Sequence, residues 1–480
     1  MPTTIVWFRQ DLRVDDNPAL AEAAARGAVV PVYILDDQTP GEWAIGGAGR
    51  WWLQESLAEL DRRLTALGAP LIRLAGPPQA ALEALAAASG ADGLVWNRCY
   101  EPFAIARDRA VKAAFKERGF EVWSTNGALL FEPWTIATKN GDPYKVYTPF
   151  SKACLKSPRP RAPVETPETL RAPKVEATGF ESAPQLLPES VGWTRGLQEH
   201  WSPGFPFAHN ALEHFLEDKV KEYGENRDRP DRRGTSELSP RLHWGELSPH
   251  RIWHAALSAC GGEDALDPGR GSEVFLKELI WREFGYHILY HFPELPEEPL
   301  NERFRDFPWA DDEAMREAWR HARTGYPIVD AGMRQLRRTG WMHNRLRMIV
   351  GSFLVKDLLE HWRVGALWFW DNLVDADLAS NTLGWQWVGG CGPDAAPYFR
   401  VFNPVKQGEK FDPQGAYVRR WVPELAALPT AQLHAPWTAA EATLREAGVR
   451  LGDTYPRPIV DHGHARRRAL DAFAWIKQAA

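Results

Sequence analysis

The sequence has few cysteines and no long apolar run, and both shortages exclude whole classes of protein. Its 480 residues include 4 cysteines, and none of them forms a CxxC pair. A disulfide framework and a zinc or iron–sulfur cluster both need closer spacing, so we predict a protein without metal in a reducing compartment. The apolar stretch Met348–Val355 is far shorter than the roughly 20 residues of a membrane span. We therefore predict a cytoplasmic monomer that does not enter a membrane.

Fingerprints of common nucleotide sites are also missing. Neither a GxGxxG motif nor a Walker lysine follows the first apolar run, Thr4–Phe8. The net charge of −6 gives no general attraction to nucleic acid, so DNA binding would require a local basic face. What the chain has in excess is tryptophan, 23 residues against 11 tyrosines. So many indole side chains suit stacking on a ligand or electron transfer as well as packing in the core.

Hydrophobic patterning divides the chain into two structural classes. Short β-branched runs alternate with helical patterns near the N-terminus, which predicts an α/β domain with a Rossmann-like parallel sheet over residues 1–130. Those runs are Thr4–Phe8, Val29–Leu35, Leu71–Leu74, Leu94–Trp96 and Glu121–Trp123. A proline-rich stretch predicts an interdomain linker over residues 131–204. Residues 205–480 read as an all-α domain, with predicted helices that include Pro240–Ser258 and Trp341–His361.

A hydroxyl-rich loop precedes one of these helices. The residues Thr235-Ser-Glu-Leu-Ser239 follow Tyr223 and lead into Pro240, so Ser239 is the expected N-cap. Hydroxyls and backbone amides at a helix start can bind an anion. Plain capping is the alternative, and the loop alone does not decide between them.

Two helical segments carry charged groups among aromatics. Glu278, Trp281 and Arg282 share a stripe of one helix, where the acid and the guanidinium either serve a site or brace the helix as an ion pair. Asn344, Arg345 and Met348 fall on one face of the next candidate helix, with Arg347 one step round. That face either contacts phosphates or is a solvated charged surface.

The segment Asp375–Trp387 combines carboxylates, an amide and indoles. Asp375 and Asp377 suggest acid–base chemistry or a metal, but no histidine or third acid has ligand spacing. Glycosidase-like hydrolysis is also disfavoured, since nearby arginines would hold the carboxylates as ion pairs. Asn381 and two indoles, Trp385 and Trp387, complete the segment.

Taken together, these motifs resemble the photolyase and cryptochrome family, in particular bacterial cyclobutane pyrimidine dimer photolyases of class I or class III type. The opening Val6–Arg13 resembles the start of the family's antenna domain. The matching segments of the flavin domain are Thr235–Ser239, Glu278–Phe284, Thr324–Asp330, Gly340–Met348, Phe353–Leu359, Asp375–Trp387 and Asp394–Arg400. Taken with the opening segment, the resemblance covers nearly the whole chain, in order.

This resemblance implies FAD, working in its reduced anionic form, and light-driven repair of pyrimidine dimers in DNA. Asn381 matches the position that faces flavin N5, where an amide tolerates the anionic reduced flavin and an acid would not. Trp309, Trp362 and Trp385 match the family's chain of three electron-carrying tryptophans. The implied FAD-binding residues are Tyr223, Thr235, Ser236, Glu237, Leu238, Ser239, Arg282, Asn344, Arg347, Asp375, Asp377 and Asn381.

The implied substrate is a dimer extruded from the duplex, because chemistry on a base requires unstacking. Glu278 would bond a thymine and stabilise its radical anion, and Asn381 and Glu278 form the implied catalytic pair. The other implied substrate and DNA contacts are Arg227, Trp281, Asn344, Arg345, Met348, Trp387 and Gln407. The alternatives are a blue-light receptor and a (6-4) photolyase; the latter's paired histidines are not matched, since His343 precedes Asn344.

The antenna site departs from the family pattern. Phe103 and Ala104 replace the polar pair that follows Tyr100-Glu101-Pro102 in folate-binding relatives. The stretch around Trp51 instead resembles the class III subgroup, so the resemblance implies 5,10-methenyltetrahydrofolate near Trp51 and Glu101. 8-Hydroxydeazaflavin is the alternative, and an empty site is a third possibility.

Overall fold

A five-stranded parallel sheet forms the N-terminal part of the molecule, in the order β3-β2-β1-β4-β5. The computed structural model describes residues 1–175, 186–187, 192–394 and 399–478. Its strands are β1 (Thr3–Phe8), β2 (Ala28–Leu35), β3 (Ile72–Ala75), β4 (Gly93–Asn97) and β5 (Glu121–Thr125). Four helices connect or flank them: α1 (Pro18–Arg26), α2 (Gly47–Leu67), α3 (Pro78–Ser89) and α4 (Pro102–Glu117). The predicted parallel sheet is confirmed.

The strands form because their residues can be covered on both faces. Every residue of β1 is buried, and its β-branched and aromatic side chains suit a sheet with helices on each side. In register, Ile5 pairs with Val30 on one side and with Leu94 on the other. The strand order reverses between β1 and β4, so their carboxyl ends border the crevice at which open α/β sheets bind ligands.

The other regular elements of the described chain are mainly helices, as predicted for residues 205–480. The helices are α5 (Tyr147–Lys156), α6 (Arg195–His200), α7 (Phe205–His214), α8 (Tyr223–Asn226), α9 (Ser239–His243), α10 (Pro249–Ala259), α11 (Gly271–His291), α12 (Glu313–Arg320), α13 (Pro327–Thr339), α14 (Asn344–Ser352), α15 (Trp362–Asn372), α16 (Leu378–Gly389), α17 (Pro404–Phe411), α18 (Ala416–Trp421), α19 (Thr430–Leu433), α20 (Glu441–Glu446) and α21 (His462–Gln478). Helix α5 lies inside the predicted linker.

Two predicted helices are interrupted. Pro240–Ser258 is in fact α9 and α10, separated by Gly245, whose φ is +66°. A Cβ at this glycine would lie 2.2 Å from the carbonyl oxygen of Gln10, so the turn depends on a close backbone approach. Trp341–His361 begins only at Asn344 and passes into a π-helical turn over Phe353–Asp357.

Contacts divide the chain into two compact units. The first comprises Met1–Lys221, Ser236–Pro293 and Val374–Ala379. The second comprises Glu222–Thr235, Glu294–Leu373 and Ser380–Ala480. This division does not follow chain order, and the predicted domain boundaries at residues 130 and 204 stay a prediction.

Candidate active site

In the first unit, the buried carboxylate of Asp377 has two neighbours on other helices. The hydroxyl of Tyr286, on α11, donates to Asp377 Oδ2. The Nδ1 atom of His243, at the end of α9, lies 3.8 Å from the same oxygen. Burial works against ionisation, but His243 and the guanidinium of Arg282 hold the pKa of Asp377 well below its usual range. The site therefore keeps a fixed negative charge.

Arg282 is the cation of this cluster. Its guanidinium donates to the backbone oxygen of Ala128 at 2.8 Å and lies 4.8 Å from the ring centroid of Tyr286. One of its nitrogens also lies 3.5 Å from Glu283. The sequence predicted Arg282 and Asp377 but missed Tyr286 and His243. The position of Tyr286, four residues after Arg282 on the same helix, was the available signal.

Asp375 is buried in the same short segment. The segment is held in place because the indole nitrogen of Trp244 donates to the backbone oxygen of Val374 at 2.9 Å. Asp375 itself is 5% exposed. The two predicted carboxylates therefore both occupy buried positions just before α16 begins.

The hydroxyl loop differs from its prediction in one respect. Helix α9 starts at Ser239 itself, and the preceding Leu238 makes no side-chain cap. The prediction that Ser239 is an N-cap is wrong, since Ser239 is the first helical residue and is exposed. Glu237 adopts a left-handed backbone with φ of +54°, and Ser236 Oγ accepts a hydrogen bond from Leu238 N at 3.4 Å. Thr235, Ser236 and Glu237 are half-buried.

Further along the first unit, α11 presents the predicted stripe. The indole of Trp281 stacks on Tyr147 with 3.5 Å between ring centroids and an interplanar angle of 6°. Tyr147 is fixed in turn by its hydroxyl, which donates to the backbone oxygen of Lys277 at 2.8 Å. Glu278, which follows Lys277 in the sequence, is half-buried. One face of Trp281 is thus covered by Tyr147 and is closed to a planar ligand.

In the second unit, the predicted basic face of α14 is partly neutralised. Arg345 pairs with Asp228 at 2.7 Å, and its guanidinium lies 4.2 Å from the ring centroid of Phe411. It also approaches the sulfur of Met348 at 3.8 Å. Arg347 donates from Nε to the backbone oxygen of Met342 at 2.8 Å, whereas Asn344 is exposed. The face combines one paired arginine with accessible polar groups.

Two other predicted contact residues lie in the same unit. Arg227 is half-buried, with its guanidinium 5.8 Å from the ring centroid of the buried Tyr223. Gln407 is half-buried on α17, a helix capped by Asn403, whose side chain accepts from Lys406 N. Both side chains therefore have one part at the surface.

Asn381 is held by the neighbouring helix. Its Nδ2 donates to the backbone oxygen of Ala366 on α15 at 3.0 Å. With the amide nitrogen so used, Oδ1 is the atom left to accept a hydrogen bond. The next residue, Thr382, has a buried hydroxyl for which no partner occurs in the described part of the chain.

The three predicted electron-carrying indoles lie on or beside α15 and α16. Trp362 opens α15 and is 1% exposed, and Trp385 on α16 is 3% exposed. Trp385 rests directly on α15, where a Cβ at Gly365 would lie 2.0 Å from its Cη2. Trp309 is half-buried and shares a ring neighbour, His361, with Trp362. The sequence did not identify His361.

Trp387 borders a shallow open pocket in the second unit. The other lining residues are Ser352, Lys356, Val388, Gly390, Arg400 and Phe402. Lys356 is buried, donates to the backbone oxygen of Gly389 at 2.5 Å, and has its pKa held well below its usual range by burial. Part of the motif Asp394–Arg400 lies outside the described residues.

The two predicted antenna residues occupy different settings in the first unit. Trp51 is 2% exposed and packs edge-on against Trp52, with 6.1 Å between centroids, so neither face of its ring is open. Glu101 follows β4 and accepts from Gln10 Nε2 at 2.8 Å. A small cavity at this carboxyl end of the sheet is lined by Gln10, Asp11, Asn97, Arg98, Cys99, Tyr100, Ala128 and Tyr286.

Each unit contains buried polar groups of the kind that bind a nucleotide cofactor. In the first unit these are the carboxylates of Asp375 and Asp377. In the second unit the Thr382 hydroxyl has no partner among the described residues, and a bound polar group would satisfy it. The buried His343, adjacent to Asn344, likewise has an Nε2 without a partner within the described ranges. In the same ranges, no group of three or more His, Cys, Asp or Glu side chains could hold a metal ion. Nor does any described helix combine the length and apolarity that crossing a membrane requires.

Comparison with known proteins gives one consistent result. Two family models match, "FAD binding domain of DNA photolyase" over residues 275–475 and "DNA photolyase" over residues 4–169. The deoxyribodipyrimidine photo-lyase of Agrobacterium fabrum is 49% identical over 99% of this chain and 98% of that protein. Cryptochrome-1 of Arabidopsis thaliana is 40% identical over 99% of this chain and 71% of that protein. The crystal structure of a bacterial class III photolyase from Agrobacterium tumefaciens superposes with a TM-score of 0.94 at 48% identity, covering 100% of this chain and 98% of that one.

Proposed function

We propose that this chain, which belongs to the DNA photolyase and cryptochrome family, is a deoxyribodipyrimidine photolyase that uses light to reverse cyclobutane pyrimidine dimers in DNA. The observation that carries this function is the 49% identity, over almost the full length of both chains, to a protein named for that activity. The matched FAD-binding domain makes FAD its cofactor. When bound, FAD supplies light absorption and one-electron donor chemistry.

Residues of this chain would hold the cofactor by charge and hydrogen bonding. We propose that Arg347, Asp375 and Asp377 bind its ring and ribityl chain, with Arg282 keeping Asp377 ionised. Tyr223 and the half-buried loop Thr235–Ser239 would bind its phosphates through hydroxyls and backbone amides. Because α9 has only 5 residues, its dipole contributes little and the loop's own donors matter more.

Asn381 would control the electronic state of the flavin. Since Nδ2 donates to Ala366 O at 3.0 Å, Oδ1 is fixed as the acceptor that we propose for flavin N5. A neutral amide adds no negative charge next to a reduced, anionic ring. This choice favours a repair enzyme, which needs the reduced flavin, over a signalling receptor.

The dimer would lie against residues that the structure leaves partly open. The face of Trp281 opposite Tyr147 is proposed to stack on one pyrimidine, and Trp387 would cover the other from its pocket. Glu278 would hydrogen-bond a thymine carbonyl or N–H, and Asn344 with Met348 would complete the wall. Arg227, Arg345 and Gln407 would contact the DNA strand, with Arg345 exchanging Asp228 for a phosphate.

Electrons that reduce the cofactor would travel through Trp309, Trp362 and Trp385. The close approach of Trp385 to Gly365, three residues after Trp362, joins two of these indoles through one helix. Indoles suit this role because they exchange an electron without a metal and without proton uptake from solvent.

The antenna is proposed to be 5,10-methenyltetrahydrofolate, with 8-hydroxydeazaflavin as the alternative. The support is the resemblance of the stretch around Trp51 to the class III subgroup, one solved structure of which shares 48% sequence identity with this chain. The buried indole of Trp51 would have to turn out before it could stack on a pterin. The absorption spectrum of the purified protein distinguishes folate, deazaflavin and flavin alone.

The proposed function is tested by illuminating the purified holoprotein with ultraviolet-damaged oligothymidine. We expect loss of dimers under blue light, no loss in the dark, and a reduced repair yield in Glu278→Ala with flavin retained. Bound flavin with no repair in the light would favour the receptor alternative. Repair of (6-4) products instead of cyclobutane dimers would overturn the assigned substrate.

A further inference from the structure

His361 lies against two of the three indoles assigned to electron transfer. Its ring centroid is 5.1 Å from that of Trp309, at an interplanar angle of 66°. On its other side it is 5.4 Å from the ring of Trp362, at 31°. Trp309 comes from the segment before α12, and His361 and Trp362 come from the start of α15. One imidazole thus touches both the outer and the middle indole.

The imidazole is also anchored as the N-cap of α15. Its Nδ1 accepts a hydrogen bond from the backbone nitrogen of Arg363 at 3.1 Å. An accepting Nδ1 carries no proton, so the neutral ring carries its proton on Nε2. This cap fixes the orientation of the ring relative to Trp362, the first residue of the helix.

Burial is the main reason that His361 stays neutral. Burial and the nearby Arg363 together lower its pKa to about 4, against the opposing effect of Glu298. Glu298 is itself paired with Arg305 at 2.9 Å, and the adjacent Glu360 with Arg316 at 2.9 Å. At neutral pH the ring is therefore an uncharged π-system between the indoles.

We propose that His361 is a positioning residue that couples Trp309 to Trp362, so that an electron passes between these indoles through contact with its ring. This inference rests on the proposed function, which assigns the electron path. In the step, one electron leaves Trp309 and fills the vacancy on Trp362, so that Trp309 becomes a radical cation and Trp362 returns to its closed-shell form. No bond forms or breaks. Because Nε2 already carries a proton, His361 takes none from Trp309.

Two substitutions separate the ring from the cap. His361→Asn keeps a side-chain acceptor that can cap α15 but removes the aromatic ring. His361→Phe keeps an aromatic ring and removes the acceptor. If the ring matters, the Asn variant slows the Trp309-to-Trp362 step severalfold while the Phe variant stays near the rate of the unsubstituted protein. If only the cap matters, the order is reversed.

The readout is flash absorption spectroscopy of the holoprotein, followed at the wavelengths of the tryptophan radical cation. We expect a reduced yield of long-lived radical in His361→Asn, smaller than the loss in Trp309→Phe, which removes the donor of this step. The proposal would be overturned if electron transfer from Trp309 to Trp362 were as fast in His361→Asn as in the unsubstituted protein, or slower in His361→Phe than in His361→Asn. A second readout without flavin is the imidazole nitrogen shifts of His361 at pH 7, where an Nδ1-protonated ring would also overturn it.

Failure of this inference and failure of the proposed function give different results. Dimer repair by protein whose flavin has been reduced chemically does not need the tryptophan path, so both His361 variants should repair like the unsubstituted protein. If the unsubstituted protein also fails to repair, the proposed function is wrong. If all three repair and all three photoreduce alike, only the role of His361 is refuted.

Discussion

Replacing Gly365 by alanine is the most direct test of how α15 and α16 hold the inner indole. A Cβ at this position would lie 2.0, 2.4 and 2.5 Å from Cη2, Cζ3 and Cζ2 of Trp385. All three atoms belong to the rigid ring of a side chain that is 3% exposed. The clash therefore cannot be relieved by turning a flexible chain end.

The size of the effect follows from these distances. Carbon atoms pack at about 3.5 Å, so a contact at 2.0 Å requires the ring or the helix to shift by about 1.5 Å. Overpacking of this kind costs about 1–3 kcal/mol. Alanine is better than glycine inside a helix by about 1 kcal/mol, which leaves a net loss of up to about 2 kcal/mol in the free energy of unfolding.

Gly384→Ala provides the matched control. Gly384 precedes Trp385 on α16, and a Cβ there would meet nothing within 4 Å. We expect this variant to be as stable as the unsubstituted protein or slightly more stable. Urea unfolding and the rate of flavin photoreduction by an external thiol are measured on both. Photoreduction should fall in Gly365→Ala only, and equal rates and stabilities in the two variants would refute the packing described here.

Three further predictions concern single side chains. Asn381→Asp loses the donor to Ala366 O and adds a negative charge. The flavin should therefore become harder to reduce by on the order of 60 mV, which is a tenfold change for a one-electron couple. An unchanged reduction potential in a redox titration would contradict the role of the amide. Glu278→Ala should keep FAD but lose at least about tenfold in repair yield, because a hydrogen bond to a charged group contributes about 1.5–3 kcal/mol. Loss of flavin absorbance instead would assign Glu278 to the cofactor. Burial raises the pKa of Glu283 to about 7 from 4.5, so the native state holds more protons than the unfolded state in this interval and its unfolding free energy falls as the pH rises. Glu283→Gln should remove this fall, which amounts to up to about 3 kcal/mol in the free energy of unfolding. Identical pH profiles of urea unfolding for the variant and the unsubstituted protein would refute the raised pKa of Glu283.

Much of the fold could be predicted because its signals are local. The runs that form β1, β2 and β4 are continuous and apolar, as expected for strands covered on both sides. Ser248, followed by Pro249, caps α10 through a short local contact, with Ser248 Oγ accepting from Arg251 N at 2.9 Å. These features depend on neighbours a few residues away.

The errors and omissions involve contacts between distant residues. Helix α9 ends early because Gly245 approaches Gln10 O, more than 200 residues away in the chain, and no local pattern encodes this. The contacts of Tyr286 with Asp377 and of His361 with Trp309 likewise join residues that are far apart in the chain. His361 also looks like an ordinary surface histidine in sequence, since its role depends on which rings the fold brings to it.

The central claim is that light drives repair while the electron returns to its donor. It is tested by counting dimers repaired per bound flavin under anaerobic blue light, after the flavin has been reduced once and the excess reductant removed. We predict many repaired dimers per flavin, with the reduced flavin spectrum unchanged at the end. A single repaired dimer per flavin, with the flavin left oxidised, would contradict the account.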